Sequence, residues 1–161
     1  MPVNRSRIVV GAVVLAVLGL GAYFVVNAGK GAIAAGQGDC VKVVSAADAK
    51  TELVDCGAPE AVYRVAKRLG SSSGMCPTGE YSELTSGSVK LCLMLNLKEG
   101  DCLSTSSAGR NQTHQRVPCD PAAEYRVLKV ITGSMDSTLC APGNVVASYS
   151  EPPATICMSV T

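Results

Sequence analysis

Gly38-Asp39-Cys40-Val41 and its second occurrence, Gly100-Asp101-Cys102-Leu103, decide the fold of this 161-residue chain. The landmarks that follow the two copies keep the same order: Val54-Asp55-Cys56 with Val117-Pro118-Cys119, Tyr63-Arg64-Val65 with Tyr125-Arg126-Val127, Met75-Cys76-Pro77 with Leu139-Cys140-Ala141-Pro142, and Leu91-Cys92-Leu93 with Ile156-Cys157-Met158. The cysteines recur at offsets of 62, 63, 64 and 65 residues, so the register drifts by single residues as short loops lengthen. A recurring period of this kind indicates a duplicated unit, which we place at residues 38–97 and 98–161.

The eight cysteines divide evenly between the two repeats. We predict that they form four structural disulfides, because zinc sites favour close C-x₂-C pairs and redox centres favour C-x-x-C. The spacings between successive cysteines run from 10 to 21 residues and include no such pair. The cysteines are Cys40, Cys56, Cys76 and Cys92 in repeat 1, and Cys102, Cys119, Cys140 and Cys157 in repeat 2.

Four cysteines allow three pairings in each repeat, and their spacing alone does not choose among them. One geometric argument favours the pairing of first with second and third with fourth. Cys40 opens a predicted strand and Cys56 closes the next, so a hairpin would bring them opposite each other, and Cys76 with Cys92 repeats this arrangement.

Each repeat is only about sixty residues long, a size that buries too little apolar surface to be stable without staples. Short runs with β-branched residues, such as residues 41–43, 62–65 and 125–132, indicate strands, and Gly, Pro and Ser clusters separate them. Helix formers at residues 45–50 and 120–125 leave short helices open. The prediction is a mostly β chain with two tandem, small, disulfide-stapled antiparallel β domains.

The N-terminal region predicts export. Residues 8–26 form nineteen uncharged, apolar residues preceded by Arg5 and Arg7, which fits a transmembrane helix with its N-terminus in the cytoplasm. Residues 1–7 would then be cytoplasmic, and residues 27–37, rich in Gly and Ala, would form a flexible tether. The predicted location is the cytoplasmic membrane, single-pass, with the repeats outside. The alternative is a secreted protein, released by signal-peptide cleavage near Ala28 or Ala35.

Composition and motifs disfavour several classes of function. Beyond residue 30 the chain carries eleven Lys and Arg against 13 Asp and Glu, with few aromatic residues, so nucleic-acid binding is not expected. We find no catalytic, cofactor or metal motif. His114 with Ser104 could be drawn as part of a triad, but residues 104–116 read as a polar surface loop. Asp39 and Asp101 are interpreted as turn residues that accept local backbone hydrogen bonds.

The Tyr-Arg pairs of both repeats are the candidate interaction residues, because Tyr and Arg often anchor interfaces. They are Tyr63 and Arg64 in repeat 1, and Tyr125 and Arg126 in repeat 2. Strand alternation places Tyr63 and Val65 on one face and Arg64 on the other. A tyrosine in the core beside a solvated arginine is therefore the competing interpretation.

The order G-D-C, V-x-C, Y-R-V, C-P and hydrophobic-Cys-Leu resembles the LppU-like family of small exported actinobacterial proteins, over both repeats. The resemblance implies location and domain type but no activity. The chain departs from that family because it carries the domain twice and has no lipobox before Cys40. We therefore expect a membrane-anchored extracytoplasmic binding module with a protein or cell-envelope partner, not an enzyme. The alternative is a structural or accessory subunit that associates through its membrane helix.

Overall fold

The computed structural model describes residues 34–108 and 111–161, which form ten strands in two five-stranded antiparallel sheets. Sheet A has the order β2-β1-β3-β5-β4, and sheet B has the equivalent order β7-β6-β8-β10-β9. The strands of sheet A are β1 (Cys40–Ser45), β2 (Lys50–Val54), β3 (Tyr63–Leu69), β4 (Ser82–Ser86) and β5 (Val89–Leu95). Those of sheet B are β6 (Cys102–Ala108), β7 (Asn111–Val117), β8 (Tyr125–Thr132), β9 (Val145–Ser150) and β10 (Pro153–Val160).

The two sheets share details beyond their strand order. Gly38 N donates to Val65 O at 2.8 Å, and its counterpart Gly100 N donates to Val127 O at 2.9 Å. The third strand of each sheet carries a bulge immediately after Val65 or Val127. A duplicated unit is expected to repeat its turns and bulges at equivalent positions. The bulge is part of that unit because it bends its strand in a defined way.

All eight cysteines are paired, in the arrangement that the hairpin argument favours. The bridges are Cys40–Cys56, Cys76–Cys92, Cys102–Cys119 and Cys140–Cys157, with Cα–Cα distances of 5.0 to 5.6 Å. The first bridge of each repeat closes the base of a hairpin, because its first cysteine lies opposite the last residue of the partner strand. Four disulfides point to an oxidising, extracytoplasmic environment.

Both repeats contribute to one hydrophobic core. Leu91 and Leu93 of sheet A belong to the same buried cluster as Leu103, Val127 and Ile156 of sheet B. Both repeats also lie within one compact unit of the chain, Gly31–Thr161. Sharing a core lets each repeat bury more apolar surface than sixty residues could bury alone.

The structure corrects the prediction of a polar surface loop at residues 104–116. Most of these residues belong to the β6–β7 hairpin, whose register runs from Cys102↔Val117 to Ala108↔Asn111. The two strands of this hairpin pair through their backbones, but apolar and polar residues do not alternate along them. The sequence pattern therefore did not predict strands here. The two segments left open as helices, 45–50 and 120–125, are turns and strand ends.

The predicted membrane span at residues 8–26 lies outside the described residues, as do the cytoplasmic segment and most of the tether. Within residues 34–108 and 111–161, no helix has the length and apolar character needed to cross a membrane.

Candidate functional site

A groove separates strand β7 of repeat 2 from repeat 1, and we call it the inter-repeat groove. Its larger pocket has a volume of about 360 Å³. His114, Gln115 and Arg116 of β7 form one wall. The opposite wall comes from β1, from residues 59–62 and from the start of β3, and it includes Lys42, Val43, Glu60 and Tyr63. The pocket is thus lined by apolar and charged side chains that come from both repeats.

A smaller pocket of about 210 Å³ continues the groove along β7. Gln112 and Thr113 form its repeat 2 wall, while β4 and β5 of repeat 1 supply Glu83 and Leu93. Both pockets share Val43 and Tyr63 in their lining. The two cavities are therefore neighbouring parts of one groove.

Tyr63 and His114 meet across this groove. The backbone N–H of His114 donates to Tyr63 Oη at 2.8 Å, and Nδ1 of the imidazole lies 3.1 Å from the same oxygen. Tyr63 is only 2% exposed, and burial raises the pKa of its phenol. Burial also lowers the pKa of His114, partly opposed by the charge of Glu124. Burial therefore favours the neutral form of the chain's sole histidine, which lies at the boundary between the repeats.

Arg116 holds repeat 2 against repeat 1 through both terminal nitrogens of its guanidinium group, while Nε bonds within repeat 2. Nη1 donates to Pro59 O at 2.7 Å and to Ala58 O at 3.3 Å, and Nη2 donates to Asn96 O at 2.8 Å. Nε donates to Asp101 Oδ2 at 3.0 Å. Four of the five N–H donors of Arg116 are thus occupied, three of them by backbone carbonyls of repeat 1.

A second contact between the repeats involves two tyrosines. Tyr81 donates its hydroxyl to Glu151 O and accepts from Glu151 N, both at 2.8 Å. Its ring packs edge to face on Tyr149, with centroids 5.0 Å apart, and Tyr149 Oη accepts from Leu95 N at 3.2 Å. Desolvation raises the pKa of Tyr149 strongly. Three of the four tyrosines beyond the N-terminal region therefore hold the repeats together.

The backbone also joins the two sheets at this second contact. Gly79 pairs with Tyr149, and the flanking bonds run from Glu80 N to Ser148 O at 2.9 Å and from Ser150 N to Thr78 O at 3.0 Å. Gly79 has a φ of 143°, and a Cβ atom there would overlap Ser148 O. Glycine is required here by both its backbone angle and its close approach.

The structure separates the predicted candidate residues. Tyr63 is buried in the groove, whereas its counterpart Tyr125 is half-buried, and Arg64 and Arg126 are exposed on the opposite faces of their strands. The pairs do not form one surface. Asp39 accepts from Gly36 N at 2.8 Å, which confirms its role in a turn.

The two functional candidates on β7 were missed for different reasons. The polar pattern around His114 predicts a surface loop, which hides its place on a strand. Arg116 has no arginine counterpart in repeat 1, where Leu53 occupies the equivalent position, as the registers Val41↔Leu53 and Leu103↔Arg116 show. A residue that differs between two copies is a signal for an asymmetric role. Comparing the repeats position by position would have found it.

The groove offers hydrogen-bonding groups and apolar contact. Lys42 and Glu60 are exposed charges at its rim, Val43 lies in its lining, and the Tyr63 hydroxyl is already bonded. Among the residues that the structure describes, no cluster of three or more His, Cys, Asp or Glu side chains could hold a metal ion.

Comparison of the chain with protein-family models, with curated proteins and with solved structures finds no match in any of the three.

Proposed function

We propose that this protein is a membrane-anchored, extracytoplasmic binding module and that the inter-repeat groove is its binding site. The supporting observation is the construction of the groove, whose walls come from different repeats and enclose two adjoining pockets. Such a site exists only when both repeats are present. A site built from both repeats gives a reason for carrying the domain twice. Repeats that served only as a spacer would give no such reason.

The class of partner follows from the groove wall. β7 is an outer strand of sheet B, and the open edge of a strand carries unpaired N–H and C=O groups that can bind an extended polypeptide. The pockets beside it can take side chains of such a segment. We therefore propose a protein partner in the cell envelope, and the anchor at residues 8–26 would hold the module beside it. Kinship with the LppU-like family would agree with this location.

The experiment compares two substitutions on adjacent residues of one strand. Val43→Arg places a long side chain in the lining of both pockets, whereas Val44→Arg places it at a neighbouring residue that is 46% exposed and lines neither pocket. Partner contacts are recorded in living cells with a photo-crosslinking amino acid at Lys42. We expect a specific adduct in the wild type and in Val44→Arg, and its loss in Val43→Arg.

A second arm separates this proposal from the accessory-subunit alternative. The repeats are expressed behind an unrelated single-span anchor, with the same crosslinker at Lys42. Retention of the adduct supports the groove as the binding site. Loss of the adduct, together with continued capture of the partner by residues 1–33 alone, would support association through the membrane helix. An adduct that persists in Val43→Arg would overturn the groove as the binding site.

A further inference from the structure

The contacts between the two repeats are not reciprocal. Strand register makes Tyr125 the counterpart of Tyr63, because each pairs with the second residue of the first strand of its own repeat. Register also makes Thr51 the counterpart of His114. Tyr63 bonds to His114 across the repeats. The reverse contact is not found among the described residues, where the Thr51 hydroxyl is left without a hydrogen-bond partner. The repeats therefore meet through different surfaces, as subunits do in a heterologous interface.

A heterologous contact leaves one surface of repeat 2 open. In repeat 1, Leu95 donates its N–H to Tyr149 Oη and is 8% exposed. Its counterpart is Val160, since each pairs with the tyrosine that begins the third strand of its repeat, and Val160 is 69% exposed. Tyr125 is likewise only half-buried, whereas Tyr63 is buried. The open face of repeat 2 is the surface formed by Pro121, Glu124, Tyr125, Val160 and Thr161.

The open face repeats the backbone arrangement that receives Arg116 in repeat 1. Asn96 N donates to Val62 O at 2.8 Å, and Thr161 N donates to Glu124 O at 3.1 Å. Thr161 is therefore the counterpart of Asn96. In repeat 1, Asn96 O accepts from Arg116 Nη2 at 2.8 Å. The equivalent carbonyl of repeat 2 belongs to an exposed residue.

A second carbonyl and two carboxylates complete the open face. Pro59 and Pro121 occupy the same place, four residues before the tyrosine of their repeat, and Pro59 O accepts from Nη1 of the arginine at 2.7 Å. Residues 120–124 carry two exposed carboxylates, those of Asp120 and Glu124, whereas residues 58–62 carry one, that of Glu60. Because a guanidinium group bonds to several carbonyl and carboxylate oxygens at once, this composition favours an arginine.

The contact within the chain also shows which backbone element such a surface binds. His114 N, on the outer strand β7, donates to Tyr63 Oη, and the arginine that reaches the carbonyls lies two residues further along the same strand. A second copy of the chain lacks an equivalent element. Its β2, the counterpart of β7, carries Leu53 at the place of Arg116, and Thr51 on that strand is only 2% exposed. The surface therefore fits a different protein.

We propose that the open face of repeat 2 binds an outer strand of another extracytoplasmic protein, with an arginine of that strand on the carbonyls of Pro121 and Thr161 and beside the carboxylate of Glu124. Extended segments commonly bind through backbone hydrogen bonds, and side chains beside them supply the specificity. The residues of the open face line neither pocket of the inter-repeat groove, so this surface is distinct from the site proposed above.

The test uses a peptide that carries the strand known to bind this kind of surface. Its sequence is that of residues 102–119, closed by the Cys102–Cys119 disulfide, so it presents β7 with its arginine in a stapled hairpin. A dye on the peptide reports binding by fluorescence anisotropy as full-length protein in detergent is added. We expect saturable binding that weakens about tenfold or more when the peptide carries Arg116→Met, since charge-assisted hydrogen bonds are lost.

Variants of the protein locate the binding. Val160→Arg and Glu124→Lys alter exposed residues of the open face, and each should weaken binding of the peptide about tenfold or more. Val44→Arg is the matched control, because it places the same side chain at another exposed valine and should leave the affinity unchanged.

Three results would overturn the proposal. Absence of saturable binding is the first. The second is an affinity that changes in Tyr63→Phe but not in Val160→Arg, since the peptide would then be replacing β7 on repeat 1. The third is dimerisation of the chain without peptide, abolished by Val160→Arg, which would make a second copy the occupant. None of these measurements involves the inter-repeat groove, so their outcome is independent of whether the groove binds a partner.

Discussion

Arg116 Nε lies 3.0 Å from Asp101 Oδ2, and this ion pair ties the first turn of repeat 2 to the strand that faces repeat 1. The same carboxylate accepts from Lys98 N at 2.9 Å, as Asp39 does from Gly36 N in repeat 1. A turn present in both copies therefore acquires a second role in repeat 2 alone. The rest of the guanidinium reaches backbone carbonyls of repeat 1, so the pair fixes one repeat against the other.

Arg116→Met should destabilise the protein by about 2 to 4 kcal/mol, because charge-assisted hydrogen bonds are lost and carbonyl groups lose their donors. Arg116→Lys should recover only part of this, since an ammonium group cannot reach the carbonyls and the carboxylate together. Chemical denaturation provides the measurement. The control is Arg64→Met, an exposed arginine on β3 for which we expect a change within about 0.5 kcal/mol. If Arg116→Met and Arg64→Met unfolded at the same denaturant concentration, the role of Arg116 in holding the repeats together would be contradicted.

Gly79→Ala should disrupt the junction between the two sheets. Its added methyl group would overlap Ser148 O and would also strain a backbone with φ of 143°. Gly87→Ala is the control, because Gly87 has a φ of 59° with nothing near its Cβ position and so tests strain alone, which costs about 1 to 2 kcal/mol. We expect Gly79→Ala to cost clearly more, with loss of amide protection at Glu80 and Ser150. A Gly79→Ala variant as stable as Gly87→Ala would show that the junction adjusts without cost.

Much of the fold was accessible from the sequence, because cysteine spacing and strand punctuation act locally. The strand at residues 125–132 was predicted with the bounds that the structure has, and the hairpin argument gave the Cys40–Cys56 pairing. Cys76 and Cys92 pair as expected but do not close a second hairpin, because Cys76 lies outside the strands and Cys92 lies within β5. The candidate site was not accessible in the same way. His114 and Arg116 act through contacts with repeat 1, and Tyr81 of repeat 1 packs against Tyr149 of repeat 2. Such contacts depend on how the repeats pack, which periodicity within one repeat does not encode.

Loss of a hairpin disulfide should prevent the protein from accumulating. Cys40–Cys56 and Cys102–Cys119 close loops with sequence separations of 16 and 17 residues, and each contributes roughly 3 kcal/mol in the chain-entropy model. We expect Cys56→Ala and Cys119→Ala to lower the amount of protein in whole-cell extracts, measured by immunoblotting. The double variants Cys40→Ala/Cys56→Ala and Cys102→Ala/Cys119→Ala separate loss of the staple from the effect of an unpaired thiol. Normal levels of either double variant would contradict a structural role for that bridge.

Alkaline pH should weaken the contacts made by Tyr63 and Tyr149. Burial raises the pKa of both phenols, so the folded state favours their neutral forms. This stability is fully present below the unfolded pKa of about 10 and is lost as the pH rises through the higher folded values. The ultraviolet absorbance of phenolate should show these two tyrosines ionising together with unfolding.

Tyr149→Phe tests the assignment within that titration. The variant loses the hydrogen bond from Leu95 N and should be less stable at pH 7 by about 1 kcal/mol, yet its stability should fall less steeply above pH 10 because one buried phenol no longer ionises on unfolding. The control is Tyr125→Phe, which removes the hydroxyl of a half-buried tyrosine and leaves the bond from Leu95 N to Tyr149 in place. If Tyr149→Phe kept the whole of the ionisation that accompanies unfolding, Tyr149 would not be one of the phenols that burial protects.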